Sequence, residues 1–349
     1  MRLRSPKSGP DRRTAAGRVA GRMFTHAGTV LLLYLTISFV LANWYVRVDT
    51  DRLSVLQIVY RNYTTPGGWG QSLRRFRDLG NTGTLKVLIA GSSHAYRSFD
   101  PRIFAERGLS AFNVGSTNQT PLNTYYLLRR FIPAISPELV LLEVYARTLS
   151  SQDGLEGFFD LSANLPLSPE MIRMAFATGK PHAVNTLVEL QMRRLVHPLD
   201  RVRQEDIEDE VYVTGGYCES GETIGEGQAF QHFGRVEPSP TQIEYLEKIL
   251  GYLRDRGIRV VMVTAPFPAE HRRAIENYAA LSRRIGELAD RRGIPYLDFN
   301  YLIDLRTYTH FKDTHHLNRA GVRRFNRDLL DRLEKRNLLP HPKRTRREG

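Results

Sequence analysis

An uncharged run, AGTVLLLYLTISFVLANWYV, fills positions 27–46. Rising about 1.5 Å per residue, a helix of that length covers about 30 Å, the hydrocarbon thickness of a bilayer. The run predicts a transmembrane helix, with Trp44 and Tyr45 at interfacial depth. A cleaved signal peptide ending at Val40-Leu41-Ala42 and a buried core helix compete with that reading. Positions 47–84 read as a polar connector with turn signals at Pro66-Gly67-Gly68 and Gly80-Asn81-Thr82-Gly83. Beyond it, short apolar runs alternate with amphipathic ones. Strands are predicted at 86–90, 111–114, 138–144, 258–264 and 294–297. Helices are predicted to start at Asp100-Pro101 and to cover 121–132, 241–256 up to Gly257 and 270–292 up to Gly293. Asn318 can cap a last helix whose Val322, Phe325, Leu329 and Leu333 share one face.

That alternation predicts an α/β fold, a doubly wound parallel sheet of five strands covered on both faces, with its functional loops at the strands' carboxyl ends. Positions 149–240 break the rhythm. They hold helical stretches at 169–176 and 185–195, the charged run QEDIEDE and the glycine-rich GGYCESGETIGEG. They read as a helical insertion or lid, with 215–227 as its protease-sensitive part. The expected organisation is a basic arm at 1–26, the transmembrane helix at 27–46, the connector at 47–84, one domain at 85–338 and a basic tail at 339–349.

Charge changes the picture only once it is located. The formal net charge is +13, but 1–25 carries +6 and 335–349 carries +5, leaving +2 for everything between. The basic ends are therefore tails, and with no nucleic-acid motif beside them nucleic acid is not an expected partner. Seven basic residues before the apolar run place the N-terminus in the cytoplasm and the domain outside it, in a bacterial-type inner membrane. Cys218 is the single cysteine, so no internal disulfide can form.

Three polar segments fall at predicted strand ends: Gly91-Ser92-Ser93-His94, then Asn113-Val114-Gly115-Ser116-Thr117-Asn118-Gln119-Thr120, and finally Asp313-Thr314-His315-His316-Leu317-Asn318. Together they resemble the blocks of the SGNH/GDSL hydrolase superfamily, more closely its membrane-anchored, extracytoplasmic branch that serves acylation of cell-surface polymers. Gly91-Ser92-Ser93 stands where that family has Gly-Asp-Ser. Asn113, Gly115 and Thr120 match N-x-G-x-x-G-x-T, with Asn118 in place of the second glycine, a position where asparagine tolerates positive φ. Asp313 and His316 match D-x-x-H.

The resemblance implies a flavodoxin-like sheet and a serine esterase or O-acyltransferase with Ser93 as nucleophile, His316 as base and Asp313 orienting it. It implies an oxyanion site built from the Ser93 and Gly115 backbone and the Asn118 side chain. The family's third-block asparagine is absent. Aligning 137–149 puts Tyr145, Ala146, Arg147 and Thr148 there, with Arg147 as a substitute donor or substrate contact, or else a surface arginine or lid contact. His315 is the rival base, His94 a residue either behind the reacting groups or at the site's mouth, and Asp298 a loop cap. His310, Asp313, His315 and His316 cluster without zinc-site spacing, so neither metal nor cofactor is expected. The implied partners are a cell-envelope polysaccharide or other polymer and a membrane-bound O-acyltransferase. The alternative is a catalytically reduced module that presents polymer to such an enzyme.

Overall fold

The computed structural model describes residues 12–48, 51–60, 65–67, 69–204, 206–207 and 209–340. The chain forms two compact units, Met1–Tyr63 with Val188–Pro198, and Thr64–Leu187 with Leu199–Gly349.

In the smaller unit a helix spans Arg12–Asn43, and its part Gly17–Asn43 is long and apolar enough to cross a membrane. Val30, Leu31, Leu32 and Leu33 are exposed, which suits a lipid-facing segment and not a core helix. The helix stops three residues before the predicted end. Tyr45–Val48 instead pairs antiparallel with Asp51–Ser54, because this β-branched and aromatic tetrapeptide favours an extended chain. The helix Val55–Tyr60 follows, boxed by Ser54 N–H donating to Gln57 Oε1 at 3.0 Å and Gln57 N–H donating to Ser54 Oγ at 3.1 Å.

The larger unit is built on five parallel strands: β1 Val87–Ala90, β2 Ala111–Asn113, β3 Leu139–Glu143, β4 Arg259–Thr264 and β5 Tyr296–Asp298. Their order is β2-β1-β3-β4-β5, the flavodoxin-like winding, whose direction reverses between β1 and β3. Leu88, Ala90, Val140, Leu142 and Met262 point to one face, under the helices Pro121–Ile135, Pro240–Arg254 and Tyr278–Asp290. Val87, Ile89, Leu139, Leu141, Val261 and Val263 point to the other, against Phe99, Phe104 and the helix Arg319–Lys335. Burial on both faces explains why these strands read as continuous apolar runs. The polar exceptions stand at strand ends, among them Glu143, a buried carboxylate at the end of β3.

Several expectations need correction. The connector contains a helix, Ser72–Gly80, that buries Leu73, Phe76 and Leu79 and places Phe76 and Leu79 in the main core. The predicted helix 270–292 is two helices, Ala269–Arg273 and Tyr278–Asp290, parted where Asn277 exchanges hydrogen bonds with the Val236 backbone at 2.8 and 2.9 Å. Within the insertion, Leu161, Met171, Met174, Ala175, Ala183 and Leu187 belong to the core, so this part is not a detachable cover. Its hairpin Val211–Val213/Tyr217–Glu219 is anchored on β2 through Asn113 N–H donating to the Gly215 carbonyl at 2.8 Å. A side chain at Gly216 would lie 2.2 Å from the Asn113 carbonyl oxygen, which is why this crossing takes a glycine with φ +86°. Of the glycine-rich 215–227, residues 215–220 are buried and the exposed part follows Ser220, chiefly at 225–229.

Candidate active site

The three polar segments meet at the carboxyl edge of the sheet, where β1 hands over to a short helix, Ser93–Ser98. Gly91 turns the chain with φ +154°, and a side chain there would meet Glu143 at 2.6 Å. Ser92 then caps the helix, accepting from the His94 N–H at 3.2 Å. Its own N–H and Oγ–H both donate to Glu143 Oε2 at 2.9 Å. Ser93 therefore occupies the first helical position, half-buried, on a turn braced from β3. Burial pushes the Glu143 carboxyl up to about 7, against the pull of the two Ser92 bonds, and its Oε1 is buried without a partner.

Asp313 and His316 come from the loop before the last helix. Phe311 and Leu317 pair across its neck, and Asp313 Oδ1 accepts the backbone N–H groups of His315 and His316 at 2.9 and 2.8 Å. That local turn frees Oδ2 to pair with His316 Nδ1 at 2.8 Å, and His316 Nε2 lies 2.9 Å from Ser93 Oγ. With the Nδ1 proton directed to the carboxylate, Nε2 is an acceptor for the serine hydroxyl. Burial, reinforced by His315, lowers His316 to about 3 despite Asp313, so the imidazole is neutral near pH 7. Burial alone would raise the Asp313 carboxyl, but His316 and the His315 backbone outweigh it and hold it well below the usual carboxylate range. The result is an ionised acid, a neutral base and a hydroxyl in line.

His315, the rival base, hydrogen-bonds Thr314 Oγ1 at 3.2 Å, and it is His316 Nε2 that reaches Ser93 Oγ. His94 lies under the site and not at its mouth: it is buried, its ring 4.0 Å from that of Tyr145 and 5.1 Å from that of His316. Asp298 does act as a loop cap, accepting from the Asn300 N–H at 3.0 Å. Potential ligand atoms of Asp313, His315 and His316 lie within 4.8 Å of one another, but those of the Asp313–His316 pair are committed to each other and to Ser93. His310 is engaged elsewhere, accepting from the Arg306 N–H at 3.0 Å.

The expected oxyanion donors are placed differently. The Gly115 loop does abut the serine turn: a side chain at Gly115 would lie 2.8 Å from the Ser92 carbonyl oxygen, and Asn113 Nδ2 donates to the Ala95 carbonyl at 2.6 Å. Yet the Gly115 N–H already donates to Asn113 Oδ1 at 3.0 Å. Asn118 has the expected positive φ, +47°, but its exposed amide donates to Glu156 Oε2 at 2.5 Å. Thr120 caps the helix Pro121–Ile135 in a box with Asn123. Arg147 is exposed and lies over the Phe233 ring at 4.7 Å. Of the three expected donors, the Ser93 N–H stands at the first position of its helix, where position provides no intrahelical acceptor.

Besides Glu143, two contributors lie outside the sequence motifs. Arg75, fully buried on the helix Ser72–Gly80, donates to the Gly115 carbonyl and at 2.6 Å to the Gly70 carbonyl, clamping the second-block loop from behind. His271 pairs with the Tyr145 hydroxyl at 2.9 Å, and burial followed by His315 lowers it to about 3. Position was the available signal for His271, which follows β4 at the same edge. For Arg75 it was the i, i+3, i+6 spacing of Leu73, Phe76 and Leu79 around it.

A parallel α/β sheet with an Asp–His–Ser hydrogen-bonded chain at its carboxyl edge is the arrangement of a serine nucleophile and its base. Among solved structures the chain is similar to one named as an acylhydrolase from Bacteroides fragilis, at 12% identity over 77% of this chain and 98% of that one, with a TM-score of 0.41. It is also similar to a GDSL-like lipase from Bacteroides thetaiotaomicron, at 12% identity over 77% and 100% of the two chains, with a TM-score of 0.42. No family model matches the chain, and no curated protein matches it.

Proposed function

We propose that this chain is an SGNH/GDSL-type serine esterase or O-acyltransferase, held by one N-terminal membrane helix and working outside the cytoplasm on acyl esters of a cell-envelope polymer. The observation that carries the reading is the unbroken chain from Asp313 Oδ2 to His316 Nδ1 at 2.8 Å and from His316 Nε2 to Ser93 Oγ at 2.9 Å. In the reaction, Ser93 Oγ attacks the acyl carbon while its proton passes to His316 Nε2. Collapse of the tetrahedral intermediate expels the alcohol, which takes that proton, and leaves an acyl ester on Ser93. Water or an acceptor hydroxyl then repeats the sequence in reverse and releases the acyl group. Asp313 stays ionised throughout and stabilises the imidazolium formed in each half. The topology rests on the basic residues before the apolar helix.

The test is to trap the acyl-enzyme. Full-length protein mixed with 4-nitrophenyl acetate should gain one acetyl group on the Ser93 peptide by mass spectrometry, faster than it is lost. An added polyol that hastens deacylation and itself becomes acetylated marks transfer; one without effect marks hydrolysis. No acetyl-Ser93 at any time would refute the reading. A second reading, a binding module presenting polymer to a membrane-bound O-acyltransferase, is favoured by one observation: the Gly115 N–H and the Asn118 amide are both spent elsewhere.

A further inference from the structure

The C-terminal half of the membrane helix is bare on most sides and covered on one. Leu31, Leu32, Leu33, Ile37 and Val40 are exposed, whereas Tyr34, Leu35, Ser38, Leu41 and Ala42 are half-buried or buried. The covered positions recur every three or four residues, a single stripe along the helix. Packed against it is the helix Val55–Tyr60, after the chain has turned back. The start of this second helix is fixed by the Val55 N–H donating to the Trp44 carbonyl at 2.8 Å. Its end reaches back along the first: the Tyr60 side chain hydrogen-bonds those of Tyr34 and Ser38. Tyr34 lies well before the helix end at Asn43, about 13 Å along the axis.

The returning helix has the composition of a lipid-facing segment. Positions 53–60 carry no charge, as 27–46 carry none, and the charges between them are confined to 47–52. Its polar side chains turn inward, Gln57 fully buried and bonded to Ser54, Tyr60 bonded to the membrane helix. Val59 points the other way and is 62% exposed. Polar groups closed within the protein and apolar side chains outside are what a hydrocarbon surrounding requires. Charge returns in the sequence at Arg61, so the apolar contact ends within one leaflet. The segment 188–198 joins this unit at the far end of the membrane helix. Asn43 Nδ2 donates to the Met192 carbonyl at 3.1 Å, and the Tyr45 and His197 rings meet edge-on at 5.9 Å. Its Glu189 is buried and paired with Arg193 at 3.2 Å, while Leu195 and Val196 are exposed, as is Trp44. Aromatic and aliphatic side chains set among paired charges suit the headgroup layer.

We propose that the helix Val55–Tyr60 is a second membrane-embedded element, lying in the outer leaflet with Val59 against acyl chains and with Trp44, Leu195 and Val196 in the headgroup layer. The occupant of this apolar face is phospholipid, because both helices lying side by side are uncharged and exposed outward. The inference rests on the proposed topology, and one arm of the test addresses that topology alone. Full-length protein would carry Trp44→Phe and Trp69→Phe, which remove both native tryptophans, and one new tryptophan. Each variant would be placed in nanodiscs of phosphatidylcholine with and without bromine on the acyl chains. Val59→Trp should lose emission to brominated chains as Leu33→Trp does, and should resist aqueous iodide. A spin label on the headgroup should quench Leu195→Trp more than Val59→Trp. Should Val59→Trp melt below wild type, Val59→Cys carrying a nitrobenzoxadiazole fluorophore gives the same readout, since the native Cys218 is buried. Val59→Trp quenched by iodide and not by bromine, or shielded from both by a second copy or another protein, would overturn the inference. Leu33→Trp untouched by bromine would instead remove the membrane helix itself, and the inference with it.

Discussion

The two sides of Ser93 are finished to different degrees. On the base side every group is aimed: Asp313 uses one oxygen to shape its own loop and the other to orient His316, whose far nitrogen reaches the hydroxyl. On the side where an acyl oxygen would sit, the Gly115 N–H is held by Asn113 and the Asn118 amide by Glu156. The lesson is that a nucleophile and an oxyanion site are separable in construction. A motif can bring the first together while the second depends on which neighbours compete for its donors. Under the proposed function, such an arrangement would hold a base on the serine but offer the tetrahedral intermediate few donors besides the Ser93 N–H, and one missing donor costs about a hundredfold or more.

The comparison breaks most visibly at Asp313. Asp313→Asn should lower the rate of Ser93 modification about a thousandfold or more, through the wrong imidazole tautomer, with the fold intact by circular dichroism. A loss below about tenfold would mean that the base side is not finished as described. Glu143 should matter next, because it braces the turn from outside the motif. Glu143→Leu leaves the two Ser92 donors without an acceptor, a cost of about 1–3 kcal/mol, and should slow Ser93 modification, whereas Glu143→Gln should restore it.

Glu143 also carries a pH signature. Its folded value, about 7, lies above the ordinary 4.5, so its contribution to stability is whole below pH 4.5 and is lost as pH rises through 7. Glu143→Gln should therefore raise stability by up to about 3 kcal/mol above pH 8, read from denaturant midpoints. The histidines act in the opposite sense. His271 and His316 are lowered to about 3 from 6.5, so stability is present above pH 6.5 and falls as acid protonates the unfolded chain first. Each should cost about 2 kcal/mol by pH 5, and replacing His271 by Gln should flatten the melting temperature between pH 6.5 and 5. The smallest effect belongs to the unfinished side: Asn118→Ala should change Ser93 modification by less than about twofold, since its amide already serves Glu156. A large loss there would show that the loop re-aims when substrate binds.

What was legible in the sequence follows from what is local. Strands buried on both faces announce themselves as apolar runs. The segments just after β1, just after β2 and ahead of the last helix carry their polar residues within a few positions, so the resemblance to the SGNH/GDSL blocks, and with it Ser93, Asp313 and His316, is legible. Asn118 could be read for its backbone but not for its side chain, because Glu156 lies 38 residues away. The break in the helix 270–292 was invisible for the same reason, since Asn277 bonds to Val236 across 41 positions. Arg75 was lost because two turn signals and three arginines disguised an amphipathic helix as connector. Glu143 falls inside the predicted strand 138–144 without a signal of its own, and the Ser92 hydrogen bonds with the close approach of Gly91 are what reveal a brace.

The central claim is that Ser93 and no other serine is activated, and a fluorophosphonate probe tests it most directly. Wild-type protein should be labelled on Ser93, and Ser93→Ala should abolish labelling. Ser92→Ala should keep it, because Ser92 faces Glu143 and not the histidine. Labelling that persists in Ser93→Ala, or a well-folded wild type that never labels, would contradict the account.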